Sequence, residues 1–262
     1  MIDFFDETPL SEPIIFDSHA HYDDEKFSDI RRELLETLPE KGVGRVLTCG
    51  CDLASSKRAL ALTEQYEYIY AAVGIHPECI ENSCDISAIE NLSAHKKCVA
   101  IGEIGLDYYW TQNNKAEQKE LFQKQLILAN QLDKPVIVHD RDAHSDTLEL
   151  LKKHRPKGVL HSFSGSVEMA REILELGMYI GIGGVITFKN AKKLPSVVEM
   201  LPDDRILLET DAPYLTPVPY RSKINHSAMI YLTAQKIAEI RKTDTKSVLK
   251  LSFNNAQKLF GL

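Results

Sequence analysis

The sequence predicts an α/β fold, a single-domain (β/α)8 TIM barrel, from three observations. Eight apolar runs rich in β-branched residues alternate with segments of helical character, as a barrel of parallel strands requires. An open doubly wound sheet usually has fewer strands and often carries a glycine-rich phosphate turn. No low-complexity segment or proline-rich linker divides the 262 residues. We therefore predict one domain over residues 1–262, with residues 1–13 forming an acidic N-terminal extension.

The predicted elements follow one another in a regular order along the chain. The runs expected to form strands are PIIFDSH, RVLTCGC, YIYAAVGIH, CVAIGEIG, PVIVHD, GVLHSFS, MYIGIGGV and RILLETD. The segments expected to form helices are 24–40, 55–66, 85–96, 115–132, 145–154, 166–176, 190–200, 229–242 and 245–260. Helix-start signals at Asp85 and Ser166 support this segmentation, because short polar side chains favour the residue that caps a helix.

Composition and charge are those of a globular enzyme rather than a binder of duplex nucleic acid. Hydrophobic residues make up 44% and charged residues 26% of the chain, the formal net charge is −7, and the pI is near 5.7. This balance argues against a broad basic face for duplex DNA. The N-terminus lacks the basic and apolar regions of a signal peptide, and no run approaches the length of a membrane helix. We therefore expect a cytoplasmic protein with no membrane association and no obligate protein partner.

The cysteines are sparse and odd in number, which argues against a disulfide framework. They are Cys49, Cys51, Cys79, Cys84 and Cys98. The spacing of Cys49-Gly50-Cys51 is compatible with a soft-metal or redox site, but the chain contains no second cysteine pair at matching spacing. Reduced thiols are the expectation, and no thiolate is expected to converge with the polar residues described next.

The stretch DSHAH, residues 17–21, follows an apolar run that begins a buried strand. If the strand continues through His21, the alternation of side chains places Asp17, His19 and His21 on one side. Two imidazoles on one face can seat a metal ion, although a polar loop after the strand would show the same letters.

Polar residues recur at the ends of the predicted strands, where barrel enzymes place their active sites. They are His19, His21, His76, Glu103, His139, His161 and Asp211. One such histidine is often a satisfied structural group, but six polar strand ends together favour a shared site. The barrel-facing residues beneath these ends should be apolar, and the candidates are Ile101, Ile137, Val159 and Leu207. Glu209 breaks this pattern, either as an inward group paired within the site or as the sign of a bulge.

Four histidines and two carboxylates from separate strands suit divalent ions that accept nitrogen and oxygen ligands. We expect two ions per chain, Mg²⁺ or Mn²⁺ for activity, with Zn²⁺ also able to bind. The expected division gives His19, His21 and Asp211 to one ion and His139 and His161 to the other, with Glu103 as the bridge.

Catalytic and substrate-binding roles follow from the same placement. Asp211 is the expected base for the attacking water, and Glu103 is the bridge that positions it. His76 and Arg141 are expected to contact phosphate, as is Arg221, although a structural role fits His76 nearly as well. Tyr108 opens the aromatic stretch YYW, which would either stack on a terminal base or pack against the next helix.

Six segments of the chain resemble, in order and spacing, the signature segments of the TatD family of metal-dependent deoxyribonucleases, which are amidohydrolase-like barrel hydrolases. These segments are DSHAHYDD, GIHP, GEIGLDYY, PVIVHDRDAH, HSFSG and LETDAPYL. The resemblance implies hydrolysis of phosphodiester bonds in DNA by a 3′-5′ exonuclease that prefers short or single-stranded 3′ ends. The chain departs from the family pattern at His226 and Ser227, where glutamate and proline are usual, and at Ser162, where cysteine is common.

Two other functions remain open. A metal-bound hydroxide also attacks carbonyl carbon, so small esters, amides and aminoacyl esters are alternative substrates, which the acidic pI favours. A non-catalytic metal-binding barrel would bind metal without turnover, and the complete set of ligands counts against it.

Overall fold

A computed structural model describes residues 10, 12–82, 85–110 and 113–262. Within these ranges eight parallel strands form one sheet in chain order. The strands are β1 Ile15–Ala20, β2 Val43–Cys49, β3 Ile69–Val73, β4 Cys98–Asp107, β5 Val136–Arg141, β6 Gly158–Leu160, β7 Tyr179–Ile182 and β8 Ile206–Leu208. A bridge between Ala20 and Ala212 brings the two edges of the sheet together. The predicted single-domain barrel is confirmed, while Cys84 and most of the expected N-terminal extension lie outside the described residues.

Helices follow the strands around the barrel. In the described ranges they are α1 Arg31–Thr37, α2 Leu53–Gln65, α3 Ile86–Ser93, α4 Lys115–Gln131, α5 His144–His154, α6 Val167–Glu175, α7 Leu194–Met200, α8 Ile230–Arg241 and α9 Thr245–Phe260. The side chains of Asp85 and Ser166 cap α3 and α6 as expected, each accepting a backbone N–H three residues later. None of these helices is both long and apolar enough to cross a bilayer.

The long helix expected over residues 24–40 is wrong in extent. The α-helix covers α1 alone, and short 3-10 helices at Glu25–Phe27 and Leu38–Lys41 flank it. Pro39 lies at the start of the second of these. Because proline has no N–H to donate and disfavours helical geometry in the preceding residue, an α-helix tends to end there.

The interior of the barrel is an apolar layer to which every strand contributes. Its members are Phe16, Leu47, Cys49, Ala72, Ala100, Ile137, Val159, Tyr179 and Leu207. Ala256 and Phe260 of α9 pack against this layer, and the ring centroids of Phe260 and Phe16 lie 5.9 Å apart. Since Phe16 lies near the start of β1, α9 closes the N-terminal end of the barrel, and the polar residues occupy the opposite end.

Strand β4 departs from the sequence expectation in two ways. It continues to Asp107, four residues beyond Glu103, because it keeps pairing with β5. The expectation that Glu103 ends its strand is therefore wrong. The register against β5 shifts between Ile101 and Ile104, so the alternation of side chains is interrupted. As a result Ala100 faces the interior, whereas Ile101 packs in the cluster shared with the helices.

We expect Leu207→Asp to prevent folding. Leu207 is fully buried in the interior layer, and an ionised carboxylate there costs about as much free energy as a domain gains by folding. Leu207→Met keeps the volume and should lower the free energy of unfolding by less than about 1.5 kcal/mol. Circular dichroism and urea unfolding measure both variants. A Leu207→Asp protein with a wild-type midpoint would show that the interior layer is wrongly assigned.

Candidate metal centre

The carboxylate of Glu103 lies among histidine rings at the C-terminal end of the barrel. Its Oε2 is 3.4 Å from the Nε2 atoms of both His19 and His21. Its Oε1 is 2.9 Å from Nδ1 of His139 and 2.8 Å from Nε2 of His161. Ligand atoms that share one ion at about 2.1 Å lie roughly 3 Å apart, so these spacings fit metal coordination. The two oxygens of Glu103 thus face different histidines, which is the arrangement a carboxylate bridge requires.

The first expected ligand set is brought together on one side of this carboxylate. Oδ1 of Asp211 lies 3.5 Å from Nε2 of His19 and 3.4 Å from Nε2 of His21. The two Nε2 atoms are 3.0 Å apart. Asp211 has a φ of 57°, a left-handed conformation that aspartate tolerates better than most residues. Its side chain remains 20% exposed and lines the cleft above the site.

On the other side the structure adds a candidate ligand. His76 forms a group with Glu103 and His139, and its Nε2 lies 3.5 Å from Oε1 of Glu103. His161 groups with Glu103 and His19, and the rings of His161 and His19 stack with centroids 3.9 Å apart. His76, expected as a phosphate contact, is therefore also placed to bind an ion.

Outer hydrogen bonds orient two of the rings. Nδ1 of His21 lies 2.9 Å from the carbonyl oxygen of Cys49, so it carries the proton and leaves Nε2 free to bind a metal. Nε2 of His139 lies 3.1 Å from Oδ2 of Asp107, which leaves Nδ1 facing Glu103. Asp107 was missed in the sequence. The signal was its position four residues after Glu103, because such residues share a face where a strand continues.

Glu209 is the inward group paired within the site that one interpretation of the sequence proposed. It is 1% exposed, its Oε1 accepts a hydrogen bond from the backbone N–H of Ser162, and that oxygen lies 3.8 Å from Nδ1 of His161. Burial raises the pKa of Glu209 to about 8. The carboxyl group of Glu209 therefore stabilises the loop after β6 by accepting the backbone N–H of Ser162.

The ionisable groups around Glu103 have strongly shifted pKa values. Burial alone would raise the pKa of Glu103, but His161 and His19 outweigh it and hold that pKa well below the usual range. Burial disfavours the charged form of His139 as well and would therefore lower its pKa, but Asp107 and Glu103 outweigh burial and raise that pKa to about 9. His76 shows the opposite balance, because burial and the nearby His139 lower its pKa to about 3. Burial and the nearby His19 also lower the pKa of His161, to about 4. The ionised carboxylate of Glu103 therefore lies among histidines whose pKa values are shifted in opposite directions.

A cleft of about 1010 Å³ opens over the centre. Arg141 and Trp110 line it, and the Arg141 guanidinium lies 4.2 Å from the ring centroid of Tyr109 and 5.3 Å from that of Trp110. Trp110 is 61% exposed. Tyr108 is instead buried, and its hydroxyl donates a hydrogen bond to Asp146 at 2.7 Å. Of the two roles expected for the aromatic stretch, Tyr108 therefore takes the packing role, and Trp110 is the member of the stretch that lines the cleft, which Tyr214 also lines.

The structure does not bring Arg221 into the cleft. Its Nη1 donates a hydrogen bond to the carbonyl oxygen of Thr216 at 2.9 Å, and its guanidinium lies 3.9 Å from the ring centroid of Phe188. It is not among the described residues that line the cleft. These contacts stabilise the loop after β8, so the expectation of a phosphate contact by Arg221 is not supported.

Asp17 belongs to none of the candidate ligand groups found among the described residues. The register of β1 against β2 shifts between Asp17 and Ala20, so simple alternation does not hold. The carboxylate of Asp17 accepts hydrogen bonds from the hydroxyls of Thr210, at 2.6 Å, and Ser227, at 2.7 Å. Asp17 thus joins β1 to the segment that carries Asp211.

The expectation that no thiolate converges with the metal ligands is also wrong. Cys51 Sγ lies within 4.8 Å of ligand atoms of both His21 and Glu103. Strand β2 ends at Cys49, and the turn that follows carries Cys51 to the lining of the cleft.

We expect Asp107→Asn to weaken metal binding by about 10- to 100-fold, because loss of the carboxylate removes the group that orients His139. The matched control is Asp140→Asn, which alters a carboxylate near the end of the neighbouring strand β5 that contacts Nδ1 of His144 at 2.8 Å instead of the centre. Isothermal titration with Mn²⁺ measures both variants. Equal affinities in Asp107→Asn and wild type would contradict this role.

The chain was compared with known proteins. Residues 16–261 match the family model described as TatD related DNase. The uncharacterized metal-dependent hydrolase YabD of Bacillus subtilis is 40% identical over 252 residues, covering 94% of this chain and 99% of YabD. The crystal structure of YjjV, a TatD homologue from Escherichia coli, superposes on this chain with a TM-score of 0.89 at 33% sequence identity. The match covers 95% of this chain and 98% of the YjjV chain. The chain therefore belongs to the TatD family of metal-dependent hydrolases.

Proposed function

We propose that this protein hydrolyses phosphodiester bonds in DNA and removes nucleotides from single-stranded 3′ ends through a two-metal site. The observation that carries the proposal is the position of Glu103, whose two oxygens face separate sets of histidines at the base of an open cleft. The description of the matching family as a DNase supports the choice of substrate.

Two divalent ions, Mg²⁺ or Mn²⁺, would supply Lewis acidity at the phosphate and lower the pKa of a bound water toward neutrality. His19, His21 and Asp211 would hold one ion, and Glu103 would bridge to the second. His139 would bind that second ion, together with His161 or His76, both of which contact the same oxygen of Glu103.

Asp211 is our candidate for proton transfer. It is the most exposed member of its ligand set, with a side-chain exposure of 20% against 11% for His21 and none for His19. A water molecule that enters from the cleft would therefore meet its carboxylate, which would accept a proton as the phosphorus is attacked. Glu103, at 4% exposure, is less accessible and would act by holding the two halves of the centre together.

Arg141 and Trp110 form the substrate-facing side of the cleft in this proposal. A guanidinium offers paired donors to phosphate oxygens, and an exposed indole offers a face on which a base can stack. Because Arg141 already lies against the rings of Tyr109 and Trp110, its side chain is held in place before a phosphate arrives. We propose that this cluster orders the terminal nucleotide.

A second candidate substrate is an aminoacyl ester. Nine carboxylate residues line the described part of the cleft, against three residues that are always cationic, Lys26, Arg58 and Arg141. An acidic rim favours a substrate that carries an ammonium group near the scissile bond. The same metal centre would then attack a carbonyl carbon instead of phosphorus.

A direct comparison of substrates tests the proposal. Purified protein, freed of metal by a chelator and reloaded with Mg²⁺ or Mn²⁺, is assayed on 3′-labelled single-stranded DNA beside aminoacyl esters and small amides. Release of labelled mononucleotides that requires metal supports the nuclease. Turnover of esters alone, or full nuclease activity in excess chelator, would overturn it.

We expect Glu103→Gln to lower turnover by about a thousandfold or more with the barrel still folded, because the bridging charge is lost while the shape is kept. Glu78→Gln is the matched control, since Glu78 lines the same cleft and contacts His76 at 3.7 Å from the outer side. Single-turnover rates and circular dichroism are compared for both. Retention of more than about a tenth of the activity in Glu103→Gln would remove Glu103 as the bridge.

We expect DNA binding to be local and only weakly dependent on salt. Each phosphate neutralised on a single strand contributes about 0.7 to the salt slope, so the three cations of the cleft predict a slope near −2. In the Glu103→Gln background, Arg141→Gln should make the slope shallower by about 0.7, whereas Arg221→Gln should leave it unchanged. Fluorescence anisotropy with single strands of increasing length, at several salt concentrations, measures the affinity and its salt slope for each variant. A steep slope with affinity still rising at long lengths would indicate an extended DNA surface.

A further inference from the structure

The two cysteines of Cys49-Gly50-Cys51 lie beside the two histidines of the neighbouring strand. Sγ of Cys49 is 3.4 Å from Nδ1 of His19, and Sγ of Cys51 is 3.7 Å from Nδ1 of His21. Because β1 and β2 are parallel neighbours, each thiol accompanies one member of the histidine pair. The hydrolytic role proposed above makes no use of either sulfur.

The two thiols differ in their access to the centre. Cys49 is fully buried in the barrel interior and belongs to none of the ligand groups found among the described residues. Cys51 is partly exposed and lines the cleft, and its Sγ, a His21 nitrogen and a Glu103 oxygen lie within 4.8 Å of one another. A sulfur at about 2.3 Å and a nitrogen at about 2.1 Å from one ion can lie up to about 4.4 Å apart. The separations in this group are therefore close to those that coordination of one ion by Cys51 and His21 requires.

We propose that Cys51 gives the metal centre a thiolate ligand that thiophilic divalent cations such as Zn²⁺ and Cd²⁺ engage and that Mg²⁺ and Mn²⁺ do not. The inference rests on the ligand assignment of the proposed function. Soft thiolates select Zn²⁺ and Cd²⁺, whereas hard ions prefer oxygen and leave the thiol protonated. On binding, the S–H bond breaks, its proton passes to solvent water, and the sulfur electron pair forms the bond to the ion, with no change in oxidation state.

This ligand would change what the centre does with different ions. Closed sites with a full set of protein ligands are structural, whereas catalytic sites keep a position open for water. A thiolate from Cys51 fills such a position beside His21. Zn²⁺ and Cd²⁺ should therefore bind tightly and compete with the ions that support hydrolysis.

Titration of metal-free, full-length protein with Cd²⁺ tests the proposal. Wild type is compared with Cys51→Ser, Cys51→Ala and the matched control Cys79→Ser, which alters another partly buried thiol of the same cleft that belongs to none of the described ligand groups. We expect the ultraviolet cadmium-thiolate absorption band in wild type and Cys79→Ser and its loss in both Cys51 variants. Zn²⁺ affinity should fall by about tenfold or more in those variants, with Mn²⁺ affinity changed by less than about threefold.

The outcomes separate this inference from the proposed function. A band that persists in the Cys51 variants, or unchanged Zn²⁺ affinity in them, would overturn the role of Cys51 while leaving the metal centre intact. Failure of all four proteins to bind Mn²⁺ would overturn the metal centre itself. Circular dichroism of each variant establishes that the proteins compared are folded.

Discussion

The burial of one carboxylate, that of Glu103, governs the chemistry at this end of the barrel. An unpaired carboxylate in a protein interior is unfavourable by several kcal/mol, so the fold must bring positive charge to it. Five histidine nitrogens lie within 3.5 Å of its two oxygens and come from β1, β5 and the segments that follow β1, β3 and β6. Protons on the rings or divalent ions between them can supply that charge. The histidines reach Glu103 only because the closed barrel brings their strands together, and the buried charge of Glu103 is in turn stabilised by these histidines.

Asp107 links this centre to the surface that would meet a substrate. Its Oδ2 contacts His139, while its Oδ1 accepts hydrogen bonds from the backbone N–H groups of Tyr109 and Trp110, both at 2.9 Å. One carboxylate thus orients a candidate metal ligand and fixes the turn that carries the aromatic rings. Because Arg141 lies against those rings, the metal ligand, the stacking surface and the candidate phosphate contact share a single support.

The sequence predicted the parts of this arrangement that depend on regular alternation. The eight strands and the polar residues near their ends could be predicted because a barrel repeats one unit and places its functional groups at one end. The prediction was wrong where regularity breaks. The register shift in β4 turns Ile101 outward and lets the strand run on to Asp107, and Asp17, at the shift in β1, belongs to none of the candidate ligand groups found among the described residues. Whether Tyr108 or Trp110 faces the cleft depends on tertiary contacts, such as the one to Asp146, that no local pattern encodes.

The charges around the cleft connect metal binding to substrate binding. Carboxylates outnumber permanent cations among the described residues of the lining by nine to three, so the protein itself offers little attraction for a phosphate. In the proposed function, most of the positive potential would then come from bound ions, with Arg141 as the proposed local contact. Under that condition an anionic substrate and the ions stabilise each other, and linkage requires that each raise the affinity of the other by the same factor. The proposed activity on a nucleic acid end would therefore need no basic surface, because the attraction for the anion would be confined to the few ångströms around the metal centre.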